Sequence, residues 1–209
     1  MRTIAIVRDL ERESRPGRSA RLGPQVIGDP YFSPNWCDGS VTLYRENKTY
    51  KLPEIKFDML NYGIDLIIEK NFKSLDGSLV HSFEITDSIT GIPHRFINGK
   101  EFTRDGVPIR GFLEILCWGK LDVYALIETN LLRPNYNTQI QSGSENYTVE
   151  KKRVILYSPG TELRQMSKKE VSKLWSEKEV QMKEFQKVNK LSLSKDRDLL
   201  LMVDYFNTL

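Results

Sequence analysis

The sequence has few of the residues that most often build reactive sites. It contains two cysteines and two histidines among 209 residues. Zinc frameworks with four cysteines are therefore excluded, and at most one disulfide can form. Cys37 and Cys117 are expected to be buried, unreactive thiols. Because His81 and His94 do not stand at the short paired spacings of metal ligands, the sequence predicts no metal site.

Three motifs of catalysis and cofactor binding are also missing. The chain has no Gly-x-Ser-x-Gly segment, no Walker loop and no Gly-x-Gly-x-x-Gly segment. These motifs position a serine nucleophile, a nucleotide phosphate and a dinucleotide, respectively. No cofactor is therefore expected, and the sequence favours a non-catalytic role.

Long apolar runs and a concentrated positive charge are missing as well. The longest apolar run, Leu199–Val203, has five residues, which is too short to span a bilayer. Arg8, Asp9 and Glu11 interrupt the apolar start, so the sequence as written has no signal peptide. The net charge is only +3, and its mixed distribution argues against a nucleic acid partner.

The composition indicates a packed domain with appendages. Hydrophobic residues make up 39% of the chain, with nine Phe, nine Tyr and three Trp to fill a core. Residues 1–27 are expected to form a loose Arg-rich arm, because positions 8–24 offer almost no apolar side chain to bury. Residues 28–158 are expected to form a β domain, and residues 159–209 a helical tail.

Alternating apolar and polar residues predict the strands of the β domain. The clearest runs are Val41–Tyr44, Ile55–Met59, Ile64–Glu69 and Leu121–Glu128. Asn98-Gly99 has the composition of a two-residue hairpin turn and is expected to pair residues 95–97 with residues 100–102. Strands joined by short turns pair antiparallel. The predicted fold class is therefore a mainly β antiparallel meander, either a barrel or a sandwich, followed by about three short α-helices.

The helix starts of the tail are predicted from serine residues. Ser167 and Ser176 each stand three residues before a glutamate, which is the capping-box pattern. Ser194 is expected to open the third helix.

One apolar stripe on the third helix has two possible roles. Leu199, Met202, Val203 and Phe206 share a helix face at spacings of three and four residues. The stripe either packs into the fold or forms the docking surface for a protein partner. Packing into the fold is the preferred interpretation.

Three carboxylates and three apolar residues are the remaining candidates for a site. Asp58, Asp65 and Glu114 could act as the acids of a hydrolase or bind a cation. Asp58 and Asp65 occupy the polar phase of their strands, so a solvated face explains them better than catalysis. If the meander closes into a barrel, Phe57, Ile68 and Leu126 could ring a cavity for a small apolar ligand.

Several short motifs carry a family resemblance. They are Gly28-Asp-Pro-Tyr31, Gly39-Ser-Val41, Ile55-Lys-Phe-Asp-Met-Leu-Asn61, Gly63-Ile-Asp-Leu66, Phe112-Leu-Glu114, Gly119-Lys120 and Asp204-Tyr-Phe-Asn207. Together they resemble a family of small exported proteins of Bacteroidota bacteria that has no established activity. The resemblance implies a location in the periplasm or cell envelope, and a start that differs from the Arg-rich one written here. Without an export signal, a cytoplasmic location stays open.

The function expected from these observations is a non-catalytic binding or structural module of the bacterial cell envelope, with an unidentified protein partner. A carrier of a small apolar ligand is the alternative. A hydrolase that uses Asp58, Asp65 or Glu114 is the least favoured hypothesis.

Overall fold

The computed structural model describes residues 25–158 and 160–209. The loose arm predicted for residues 1–27 lies outside the described residues up to position 24 and stays a prediction there. Its last two residues, Val26 and Ile27, instead pair with Tyr147 and Thr148 as a short parallel strand. The predicted change from strands to helices near residue 158 follows the end of a long strand, Tyr147–Ser158. The predicted helical tail nevertheless begins with a short strand, Arg164–Gln165, that pairs with the sheet.

Thirteen strands form within the described residues, and the longer ones follow the alternating pattern of the sequence. They are β1 (Val26–Ile27), β2 (Cys37–Leu43), β3 (Thr49–Asp58), β4 (Gly63–Ile68), β5 (Asn71–Asp76), β6 (Val80–Thr86), β7 (Pro93–Asn98), β8 (Thr103–Arg104), β9 (Val107–Pro108), β10 (Phe112–Cys117), β11 (Asp122–Leu132), β12 (Tyr147–Ser158) and β13 (Arg164–Gln165).

The strands build one large sheet and a small hairpin. The order of the large sheet is β1-β12-β11-β10-β7-β6-β2-β3-β4-β5, and β13 pairs with β12. All of these pairs are antiparallel except β1 with β12, which is parallel. The strands β8 and β9 form the separate hairpin. The predicted mainly β antiparallel fold is confirmed, and in the described residues the sheet remains open rather than closing into a barrel.

A cluster of phenylalanine rings shows that the sheet curls. Phe57, Phe83, Phe96 and Phe112 pack with ring centroids 4.6 to 5.5 Å apart. The strands of Phe57 and Phe112, β3 and β10, are separated by three strands in the sheet order. Their rings can meet only because the sheet bends round them. This cluster marks the inner face of the sheet.

The outer face of the sheet carries a second core. Leu113, Tyr124, Leu126, Val154 and Leu156 are buried there in one cluster. Each alternates along its strand with residues of the inner face, because successive side chains of a strand point to opposite faces. The connection between β7 and β10, which includes the β8–β9 hairpin, packs on this second core.

Residues 28–36, here called the strap, cross from one curled end of the sheet to the other. The strap begins beside β12, where Gly28 lies against Val149, and Lys151 Nζ of β12 donates to the Tyr31 carbonyl at 2.7 Å. Its middle bonds to β3, because the Phe32 amide donates to the Phe57 carbonyl at 2.9 Å. A single antiparallel bridge joins Tyr31 to Asp58. The strap therefore ties together two sheet ends that strand pairing leaves apart.

The hairpin predicted at Asn98-Gly99 is wrong. Residues 99–101 form a short 3-10 helix, and β7 pairs with β6 and β10 instead. The Asn98 side chain accepts from the Lys100 amide at 3.1 Å and donates to the carbonyls of Gly77 and Val80. These bonds hold Asn98 with φ at −65°, whereas a type I′ turn requires positive φ at both central residues.

Three α-helices follow the sheet: α1 (Lys168–Leu174), α2 (Glu179–Val188) and α3 (Asp196–Thr208). Ser167 caps α1 as predicted, accepting from the Glu170 amide. Ser176 instead starts a 3-10 turn, and α3 begins after Lys195 with no side-chain cap. The predicted caps at Ser176 and Ser194 are therefore wrong, although the number of helices agrees with the prediction.

The helices cover one end of the inner face. Val171, Trp175 and Met182 are buried in one cluster with Val123 and Tyr157 of the sheet. None of the described helices is long and apolar enough to cross a membrane.

Candidate binding groove

The two aspartates that were expected on a solvated face are buried. Asp58 is 8% exposed and Asp65 is 6% exposed. Asp58 accepts from the amides of Leu60 and Asn61 at 2.9 and 3.0 Å, so it stabilises the turn after β3. Asp65 accepts from the Tyr31 hydroxyl at 2.8 Å. The expectation of a solvated face is wrong because the strap covers these residues.

Glu114 is buried at the centre of a charged cluster on the inner face. Its Oε1 lies 2.6 Å from His94 Nδ1, and its Oε2 lies 3.2 Å from Nη2 of Arg153. Because a carboxylate only accepts, His94 donates its Nδ1 proton. The Phe32 ring of the strap packs edge-on against the imidazole at 5.0 Å. The carboxylate is thus held by two partners, which is the arrangement that lets a charge stay buried.

The three carboxylates do not form one catalytic site. Glu114 lies directly opposite Phe96 in the register of β7 and β10, so it belongs to the inner face. Asp58 and Asp65 alternate with inner-face residues of β3 and β4, so they lie on the outer face. Two cooperating carboxylates must flank one scissile bond within a shared cleft, and groups on opposite faces of a sheet do not share a cleft.

The predicted cavity residues lie in three different places. Phe57 is buried in the inner cluster, Leu126 is buried in the outer cluster, and Ile68 is 39% exposed at the end of β4. These three residues therefore do not surround a common cavity.

The predicted partner surface on α3 is buried. Leu199, Met202 and Val203 are 7%, 1% and 0% exposed. Phe206 is partly buried and contacts Trp175 with ring centroids 6.1 Å apart. The stripe is a core-facing helix surface, which was the preferred of the two interpretations, and it offers no open patch to a partner.

An open groove lies instead along the edge of β11, where its neighbour β10 is missing. β10 pairs with β11 only between Leu113–Cys117 and Val123–Leu126. β12 continues to pair with β11 as far as Leu132. The far half of β11 therefore has a strand on one side only among the described residues.

The groove has a volume of about 370 Å³ and adjoins a hollow of about 580 Å³. Its walls are the β8–β9 hairpin with the residues that follow it and Tyr62 from the turn between β3 and β4. Tyr62 has a φ of 55°, a left-handed conformation that is uncommon for an aromatic residue. Its ring lies against Gly111, where a Cβ would come within 2.5 Å of the ring. The glycine thus permits the close approach that shapes one wall.

Some polar groups of the groove have hydrogen-bond or ion-pair partners, and others have none among the described residues. Arg104 is paired with Glu128 at 3.1 Å. Arg110 lines both hollows, is exposed, and has no ion pair or hydrogen bond with any residue that the structure describes. Thr129 is 8% exposed, and its buried Oγ1 has no hydrogen-bond partner in the described part of the chain. The groove therefore offers a free positive charge beside a strand edge.

Sequence reasoning missed this groove and the cluster around Glu114. His94 and Glu114 are twenty positions apart, and no local spacing links them. The groove depends on the difference in length between β10 and β11, six residues against eleven. The only signal in the sequence is that the alternating run of β11 is longer than the apolar run that precedes it.

Comparison with known proteins gives no match. No family model, no curated protein and no solved structure is significantly similar to the chain. The resemblance to exported Bacteroidota proteins therefore stays a prediction, and functional reasoning depends on the geometry of the groove.

Proposed function

We propose that this protein is a non-catalytic binding module that takes up a carboxylate-bearing ligand in the groove beside β11. The observation that carries the proposal is Arg110, an exposed guanidinium that lines the groove and has no partner among the described residues. A guanidinium presents a planar set of donors that matches a carboxylate. A binding role agrees with the function expected from the sequence.

The groove holds groups that bind rather than groups that react. The described residues that line it include no histidine and no cysteine. Its acid, Glu128, is already paired with Arg104. A general acid or base must be free to exchange a proton with the substrate. The lining therefore supports recognition better than hydrolysis.

A place in the bacterial cell envelope is part of the proposal and depends on the family resemblance alone. A module of an envelope protein would meet its ligand outside the cytoplasm. Fractionation of the native bacterium with an antibody against this protein tests that location. Recovery only with cytoplasmic markers would contradict it.

The binding site is tested by NMR titration with a blocked single aspartate, N-acetyl-aspartate N-methylamide. This probe has about 13 non-hydrogen atoms, and at about 0.3 kcal/mol per atom it reaches a dissociation constant on the order of 1 mM. We expect amide shift changes at residues 104–110 and 127–130. The uncharged asparagine analogue should give much smaller changes, because it cannot pair with Arg110.

Two matched variants complete the test. Arg110→Ala should abolish the shift changes, whereas Arg197→Ala, which removes an exposed arginine from α3, should leave them intact. Shift changes that are absent, or that survive Arg110→Ala, would overturn the proposed site.

A further inference from the structure

We infer that the natural occupant of the groove is an extended acidic peptide segment, which adds a strand to the free edge of β11. This inference depends on the proposed function, because it names the class of ligand that the same groove accepts. It follows from three features: the unpaired backbone of β11, the walls beside it and the free charge of Arg110.

The first feature is the unpaired backbone. In an antiparallel sheet each inner strand exchanges hydrogen bonds with a neighbour on both sides. From Glu128 to Leu132, β11 exchanges them with β12 alone, over the register Glu128↔Lys152 to Leu132↔Thr148. No other described residue donates a backbone hydrogen bond to this stretch or accepts one from it. The edge therefore presents a row of unused backbone donors and acceptors, which is the template for strand addition.

The second feature is the pair of walls that flank this edge. The β8–β9 hairpin stands on the outer-face side, where Arg104 is tied to Glu128. Tyr62, seated against Gly111, forms another part of the groove lining. A ligand between these walls approaches β11 along its edge rather than across its face. An extended backbone fits that path, whereas a helix, about 10 Å wide with its side chains, presents no free backbone groups to the edge.

The third feature is the charge beside the edge. Arg110 has no partner among the described residues. Lys100, whose Nζ donates to the Ser78 carbonyl at 3.2 Å, lines the adjoining hollow, where the carboxylate of Asp76 accepts from the Ser78 amide at 2.8 Å. An acidic side chain of the added strand would pair with Arg110, and a second acidic residue would reach Lys100. The occupant is therefore acidic, and a basic peptide would be repelled.

The sheet has another free edge at β5, and it lacks these features. Among the strands that the structure describes, β5 is the last of the sheet order and pairs with β4 alone. Its residues are almost all exposed, and it carries Lys73 at its centre. A charged lysine on an edge strand discourages strand addition. The edge of β5 is thus the internal comparison for the experiment.

The experiment uses the full-length protein and a nine-residue blocked peptide of threonine, valine and serine with one central aspartate. Binding is measured by NMR titration and compared with the blocked single aspartate. We expect the peptide to bind at least tenfold more tightly, because it adds backbone hydrogen bonds to the contact with Arg110. The amide protons of Glu128–Leu132 that gain partners should exchange more slowly with solvent when the peptide is bound.

Two altered peptides separate the contribution of the backbone hydrogen bonds from that of the aspartate charge. N-methylation at alternate positions removes backbone donors on one edge of the peptide and should return its affinity to that of the single aspartate. Replacing the central aspartate by asparagine should weaken binding about tenfold. Arg110→Ala should have the same effect on the acidic peptide, and Arg197→Ala should have none.

The possible failures are distinguishable. If the single aspartate binds and the peptide binds no more tightly, the strand-addition inference is wrong and the proposed binding site stands. If neither binds, both proposals fail. If the peptide protects Asn71–Asp76 instead, it adds to β5, and the inference about β11 is overturned.

Discussion

The packing of α3 can be tested by comparing two neighbouring side chains on the same helix. Met202 is 1% exposed and belongs to the cluster between the helices and the sheet, whereas Leu201 is 44% exposed. Met202→Ala removes buried atoms and leaves a cavity, which should lower the free energy of unfolding by about 2–5 kcal/mol. Leu201→Ala should change it by no more than about 0.5 kcal/mol, as is usual for a surface substitution. Alanine is the best helix former, so neither change is confounded by a loss of helix propensity.

The assay is urea unfolding followed both by circular dichroism and by tryptophan fluorescence. In a protein of this size each kcal/mol corresponds to about 2–4 °C in the thermal midpoint, so a thermal scan gives an independent estimate. If the two substitutions have equal effects, α3 does not pack as described. An unchanged midpoint for Met202→Ala would refute the assignment of the stripe to the core and would restore it as a candidate partner surface.

Three further predictions address the strap, the groove and the alkaline limit of stability. Tyr31→Phe should lower the free energy of unfolding, measured with urea, by about 1–3 kcal/mol, because buried Asp65 loses the 2.8 Å hydrogen bond from the hydroxyl. Tyr50→Phe, which removes an exposed hydrogen bond, should lower it much less. Equal losses for the two variants would contradict the prediction. Thr129→Val should leave the free energy of unfolding unchanged or raise it by about 1 kcal/mol, because it removes a buried hydroxyl that has no hydrogen-bond partner among the described residues. A clear loss of stability would show that the hydroxyl is hydrogen-bonded. Burial raises the pKa of Cys117 from 9.0 to about 12. As the pH rises, the thiol of the unfolded chain therefore loses its proton before the thiol of the folded chain does. The free energy of unfolding should be constant below pH 9 and should fall between pH 9 and 12 by up to about 1.4 kcal/mol per pH unit. Urea midpoints at several pH values should fall less steeply for Cys117→Ala, and parallel curves would count against the prediction.

The sequence predicts the class of fold because alternation is a local property. Strands β2, β3, β4 and β11 contain all but one terminal residue of the alternating runs from which they were predicted. Free cysteine is among the most often buried residue types, so Cys37 and Cys117 are expected to be buried, and both are buried free thiols in the structure. Local pattern was sufficient for the strands, and residue type was sufficient for the thiols.

Pairing between strands could not be predicted in the same way. Asn98-Gly99 has hairpin composition, yet the Asn98 side chain bonds to the carbonyls of Gly77 and Val80, about twenty residues earlier in the chain. Those partners are unknown until the sheet is assembled. The groove depends equally on pairing, because the edge of β11 is free only where β10 has ended.

Asp58 and Asp65, which occupy the polar positions of their alternating runs, are buried because of how the strap is held. Alternation indicates which face a residue occupies, but it does not indicate whether that face is covered. The strap pairs with β3 like a short strand, so its consecutive side chains point to opposite faces. Phe32 therefore reaches the inner cluster, where its ring lies 5.0 Å from that of Phe96, while Tyr31 turns outward to Asp65.

The same geometry explains why a lysine lies over the aromatic residues of the strap. Lys56 is on the outer face beside Asp65, and its Nζ lies 4.8 Å from the ring centroid of Tyr31 and 5.4 Å from that of Trp36. A cation over two aromatic faces is attracted to both rings, and it places a positive charge close to the buried carboxylate. One extended segment thus supplies an apolar side chain to the inner core and, on the outer face, the aromatic residues that allow a carboxylate to be buried.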